Sequence, residues 1–465
     1  MSDAVQEQPW VRTVLTTAGD RERESKSRLY NAVEGIGMYL FVLVVLWPFC
    51  FYFGKVHNSE LIQKVANYPL VLGALFLLFV SPFLHKDTAE SWGVGNPRRL
   101  WRLLNEASAL KRGIILFAML TLMVVLNVAN VMRWPDVAKF IGFRDSPVMD
   151  YADPSKHPLG LLLVVPFGLI VSSFLVTCAI RYDNFGSAFK TALKISLPLM
   201  VGSFVAAYAA LGTKAFRNFD GIEYALGVFG YVFWGAVQQL LFSSYFGTRM
   251  RKAFGPSANP DNVVAPEKRW ATALTLGGAI AACVTIAGYA TAVGVYGIEK
   301  APPAMIVWML GAALPFATAW GYFFTLDKKR MLVATLCGSF FGLIHIDSYG
   351  LVAVTFLLGV MLVYVFMEDR NRNLVALGFV HGLLGSTFNW LFSKNAEGAM
   401  HVSYSVGPWN IKGEAITMNV LVFPMLCIAA YCALLAWCTA NIREEDDAEG
   451  EPDLSDPALA TDSVE

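Results

Sequence analysis

Runs of about 20 apolar residues, set apart by short clusters of charge, dominate this chain from residue 32 onward. A run of that length crosses a bilayer as a helix, and no other local structure leaves its backbone polar groups satisfied in lipid. Twelve such spans are expected, at roughly 32–54, 68–85, 113–132, 158–180, 192–211, 222–247, 271–297, 302–325, 331–348, 350–368, 373–394 and 415–440. The expected fold class is therefore all-α, a polytopic helical membrane protein. Composition agrees: 56% of the 465 residues are hydrophobic, only 15% are charged, and no long polar stretch could form a soluble domain.

Lys and Arg set the orientation. With the N-terminus inside, the cytoplasmic segments hold 25 of the 36 basic residues and the opposite loops 11, as the positive-inside rule requires. Both termini are then cytoplasmic, and the expected setting is a bacterial cytoplasmic membrane. Pro302 and Pro303 mark a helix start, and Asp347-Ser348-Tyr349-Gly350 is a tight turn that makes a hairpin of the spans on either side. Pro97-Arg98-Arg99-Leu100-Trp101-Arg102 mixes basic and aromatic residues, and reads equally as a surface-lying amphipathic stretch or a solvated loop. Residues 444–465 carry ten acidic side chains and no basic one, the pattern of a solvated tail.

Several function classes drop out. The seven cysteines lie in or beside apolar spans without ligand spacing, so they read as small buried side chains. Zero formal net charge gives no case for nucleic acid, and the glycines form no phosphate loop or nucleophile elbow.

Polar residues inside the spans are costly and point to function. They concentrate at Gln238-Gln239, His345 and His381; the other histidines, His57, His85, His157 and His401, fall in loops or at span ends. His345 is fifteen residues from Arg330, His381 nine from Arg372, and Gln239 ten from Arg249. At about 1.5 Å per residue all three lie roughly 13–23 Å deep, in one layer. Gly338-x-x-x-Gly342 and Gly378-x-x-x-Gly382 share helical faces with the histidines and allow close helix approach. Either histidine alone is more readily a packing residue than a catalyst. The three elements together carry the argument.

In order and surroundings, residues 220–395 resemble the CPBP family (CAAX-protease and bacteriocin-processing, or Abi) of intramembrane endopeptidases. Its motifs are Glu-Glu-x-x-x-Arg, Phe-x-x-x-His and His-x-x-x-Asn on separate helices. The second is intact here as Phe341-Gly342-Leu343-Ile344-His345; the first falls on Gln238-Gln239-Leu240-Leu241-Phe242-Ser243, the third on His381-Gly382-Leu383-Leu384-Gly385. The resemblance implies a membrane endopeptidase for membrane-proximal or lipidated protein tails. Its site would be Gln238, Gln239, His345 and His381, with Phe341, Ser243, Gly385 and Asn389 lining the cavity, and the histidines holding any divalent metal. No organic cofactor is implied. The expected partners are the lipid bilayer and a peptide or membrane-protein substrate.

The substitutions alter that chemistry. A neutral amide cannot serve as a general base, Ser243 lacks the charge of arginine, and Gly385 lacks the amide that would steady an oxyanion. Glu223 is fifteen residues before Gln238, Asp347 reads as a turn or N-cap residue, and Asn389 is two turns past His381; none stands in. An inactive or altered protease is expected. The alternatives are a non-hydrolytic binding, scaffold or immunity-type protein using the same cavity and, third, a transporter. The domain plan is 1–31 as a cytoplasmic segment, 32–219 as the first helices, 220–395 as the protease-like core, 396–441 as a loop and final span, and 442–465 as the acidic tail.

Overall fold

The computed structural model describes residues 27–134, 153–217, 219–254, 263–346, 348–393 and 397–401. The described residues are all-helical, with no strand among them. Eight helices are long and apolar enough to cross a membrane, beginning at residues 28, 109, 158, 185, 221, 266, 304 and 374. Two more, Tyr68–Leu84 and Gly350–Phe366, are apolar but shorter. A helix occupies each of the first eleven expected spans; the twelfth, 415–440, and the acidic tail lie outside the described residues.

In chain order the α-helical elements longer than four residues are α1 (Arg28–Val44), α2 (Glu60–Leu75), α3 (Pro97–Glu106), α4 (Ala109–Met132), α5 (Leu161–Phe174) and α6 (Phe185–Leu211). Then follow α7 (Gly221–Gln239), α8 (Gly247–Phe254), α9 (Arg269–Tyr296), α10 (Ala304–Leu326), α11 (Lys328–Leu343), α12 (Tyr349–Phe366) and α13 (Leu374–Leu391). Their starts follow from local chemistry. Ser59, Ser108, Asp220, Asp327, Ser348 and Asn373 each accept a hydrogen bond from a first-turn N–H of the helix that follows. Ser59 thereby starts α2 eight residues ahead of the expected span at 68. The turn between α11 and α12 is capped by Ser348; Asp347, expected to take that part or form the turn, lies outside the described residues.

α7 packs along α13, α11 along α12 and α9 along α10, while α6 also flanks α13 and α8 lies between α1 and α11. Small residues set the closest crossings. A Cβ on Gly378 would stand 2.9 Å from the Val232 carbonyl oxygen, and one on Gly382 would stand 2.7 Å from that of Val228. On the other pair, a Cβ on Gly359 would meet the Gly338 Cα at 3.0 Å. α11 is largely enclosed, with Val333, Ala334, Leu336, Cys337, Phe340 and Phe341 at or near zero exposure. It is a core helix wrapped by neighbours more than a lipid-facing one.

Two loops brace the entrance of α13. Asn373 caps the helix with Oδ1, and its Nδ2 donates to the Arg181 carbonyl at 2.6 Å and to Asn184 Oδ1 at 3.0 Å. Arg181, 2% exposed, pairs with Asp183 and Asp369. Burial of the Asp183 carboxyl would raise its pKa, but the Arg181 and Arg99 guanidiniums outweigh that and hold it below the ordinary range.

Candidate functional site

Gln238 and Gln239 end the regular part of α7. Beyond them the chain widens into a π-helical stretch, Leu240–Phe246, before α8 resumes. Widening of this kind inserts a residue into the helical turn and re-aims the side chains beside it, a device common at functional sites. It turns Phe242, Ser243, Ser244, Tyr245 and Phe246 all inward.

The structure brings the four expected polar residues together in two pairs. Gln239, with no exposed surface, places Nε2 3.3 Å from His381 Nδ1, and His381 is itself 7% exposed. Gln238, half-buried, places Nε2 3.5 Å from His345 Nε2, at the edge of hydrogen-bonding range. Each adjacent glutamine thus serves one imidazole. Phe341 stands between the rings, its centroid 5.0 Å from His345 and 5.6 Å from His381, both edge to face. Phe242 stacks on the other side of Phe341 at 4.1 Å. Six side chains from α7, its π-helical extension, α11, the turn after it and α13 form one cluster.

The tautomer of His345 follows from its partners. Its Nδ1 lies 2.8 Å from the Phe341 carbonyl oxygen, which can only accept, so the proton sits on Nδ1 and the Nε2 lone pair faces the Gln238 amide. Trp47 steadies the same turn from α1's extension, its Nε1 donating to the Leu343 carbonyl at 3.0 Å. With Gln239 Nε2 donating to His381 Nδ1, the His381 proton is on Nε2. That atom, Gln239 Oε1 and Ser243 Oγ are buried and have no hydrogen-bond partner among the described residues. Leaving such groups buried and unpaired is costly.

The expected lining residues divide. Phe341 is in the cluster, and Ser243 is buried one turn past Gln239. Gly385 and Asn389 stand apart. A Cβ on Gly385 would meet the Tyr231 ring at 3.0 Å, so the position serves helix packing, and Asn389 is exposed two turns beyond His381. The i+8 spacing along α13 carries the Asn389 side chain out of the layer.

The structure also corrects the expectation that polar groups gather at one place only. A second, charged cluster joins α1 and the segment 81–87 beyond α2 to α8 and the π-helical stretch before it. Glu34 Oε2 lies 2.7 Å from His85 Nε2, while its Oε1 accepts from Tyr245 at 3.0 Å, from Arg249 Nε at 3.2 Å and from Ser81. Arg249, with no exposed surface, also pairs with Asp87, which Lys252 reaches at 2.9 Å. Burial would raise the Asp87 pKa, but the charges of Arg249 and Lys252 outweigh it and hold the carboxyl below its ordinary value. The signal was present in sequence: Glu34 is the one charged residue inside the first apolar run, and a carboxylate at such a place needs a cation. Which cation, only the packing of α8 on α1 decides.

Among the described residues no group of three or more His, Cys, Asp or Glu is placed to hold a metal ion. Two imidazoles and two carboxamides fall short of the donor set that a catalytic divalent ion takes. The arrangement suits hydrogen bonding to a neutral group. No family model matches the chain, and no curated protein or solved structure matches it.

Proposed function

We propose that this chain is a CPBP-type intramembrane protein of twelve spans, both termini cytoplasmic, whose site binds a peptide segment without the family's ordinary hydrolysis. The observation that carries the reading is the pairing of each glutamine amide with one histidine, at the positions where the resemblance puts glutamates. A carboxylate there would take a proton from water; an amide only donates and accepts hydrogen bonds. The unpartnered Gln239 Oε1 and His381 Nε2–H supply an acceptor and a donor, the complement of a peptide group. Ser243 in place of arginine is consistent with the same change, because losing carboxylates and cation together strands no buried charge.

The test is peptide hydrolysis by the purified full chain in detergent, using quenched fluorescent peptides with and without a lipidated C-terminus. No turnover above the protein-free rate is expected. Turnover abolished by His345→Ala or His381→Ala would sink the proposal. A combined Gln238→Glu, Gln239→Glu and Ser243→Arg variant tests the ancestry separately, with histidine-dependent hydrolysis as the expected gain.

A further inference from the structure

Helix α3 has a two-sided character that the candidate site does not use. Along Pro97–Glu106, Leu100, Trp101, Leu103 and Leu104 fall on one side, and Arg98, Arg102, Asn105 and Glu106 on the other. No residue of the helix is buried, and Trp101 is 69% exposed. A helix with this division, too short and too charged to span, is suited to the plane of a membrane interface.

Contacts hold it at both ends. Asn96 caps the start, accepting from the Arg98 N–H at 3.0 Å. Arg99 reaches Asp183 at 3.0 Å and so ties the helix to the α5–α6 loop. At the other end Ser108 begins α4, an apolar helix of spanning length, and Arg112 reaches back to donate to the Asn105 carbonyl at 3.1 Å. The elbow places α3 directly before the start of α4, a helix long and apolar enough to cross a membrane. Arg98, Arg102 and Lys111 are exposed, and their side chains have no partner among the described residues. Against these cations the helix carries one carboxylate, Glu106.

We infer that α3 is an in-plane anchor that binds anionic phospholipid headgroups through Arg98, Arg102 and Lys111, with Trp101 and Leu104 set into the interface. The occupant follows from charge and depth: a cationic rim above an apolar face, next to a spanning helix, complements a negatively charged membrane surface. The inference is independent of what the glutamine–histidine site does.

The experiment uses the full chain in phosphatidylcholine mixed micelles, titrated with phosphatidylglycerol while thermal unfolding is followed. Phosphatidylglycerol is expected to raise the Tm, weakly at high salt, and glycerol phosphate at equal concentration is expected to leave it unmoved. At about fivefold per charge, the combined Arg98→Gln, Arg102→Gln and Lys111→Gln variant needs on the order of a hundredfold more anionic lipid for the same shift. An equal midpoint in wild type and variant overturns the proposal, as does a wild type indifferent to phosphatidylglycerol or equally stabilised by glycerol phosphate. Should the variant be unstable in phosphatidylcholine alone, Trp101 decides. The fluorescence lost in Trp101→Phe is expected to be quenched by brominated acyl chains. Quenching of that signal by acrylamide and not by brominated lipid overturns the assignment.

Discussion

Gly235 stands directly against His381: a Cβ at Gly235 would lie 2.3 Å from the histidine Cβ and 2.6 Å from its Cγ. The absence of a side chain on α7 is what admits the imidazole of α13 to the layer of Gln239. The Gly235→Ala variant should therefore lose about 1–3 kcal/mol of stability by overpacking. In a His381→Ala background the same change should cost much less, and a double-mutant cycle from unfolding in detergent measures the difference. Equal costs in both backgrounds would place the clash elsewhere.

Gln239 and Gln238 are neighbours in sequence with different burial, and their removal should separate them. Gln239→Leu strips a buried partner from His381 and should cost about 1–3 kcal/mol. Gln238→Leu removes a longer contact at a half-buried position and should cost less. Paired denaturation curves check the order.

His345 should carry a proton on Nδ1, since that nitrogen is 2.8 Å from the Phe341 carbonyl. Nitrogen-15 NMR of histidine-labelled protein distinguishes the two ring nitrogens, with the His345→Ala variant assigning the signals. A proton on Nε2 with Nδ1 unprotonated would contradict the contact with Phe341.

Asp87 predicts an acid-sensitive term in stability. Its folded pKa lies below the ordinary 3.8, so the unfolded chain binds more protons as pH falls. The contribution is fully present above that ordinary value and is lost as pH drops through the folded one. Asp87→Asn should remove the term from the pH profile of unfolding. At neutral pH it should cost about 3 kcal/mol or more, because Arg249 stays buried with part of its countercharge gone.

The helical elements were largely legible in the chain because the bilayer imposes length and apolarity on every span, whereas the caps that fix their starts, such as Ser59 ahead of α2, came from the structure. Gln238, Gln239, His345 and His381 were legible for the same reason, as polar side chains stand out in apolar runs. Depth counted along each helix placed them in one layer, since rise per residue is constant. Asn389 shows where counting stopped serving, because α13 turns that side chain away. Arg249 read only as the basic end of a helix; its enclosure by Glu34, Asp87 and Ser81 joins segments more than 160 residues apart.

By itself, then, the sequence determined the material of this protein: apolar helices, their approximate places, and the glutamine and histidine side chains they carry inward. The tertiary structure alone decided the partners. A π-helical widening after Gln239 turns five successive side chains inward, and Gly235 makes room for one imidazole. The division of two amides between two histidines is then settled by which helices cross where. Local chemistry specifies a helix residue by residue, whereas a crossing depends on side-chain shapes far apart in the chain, and no local pattern encodes it.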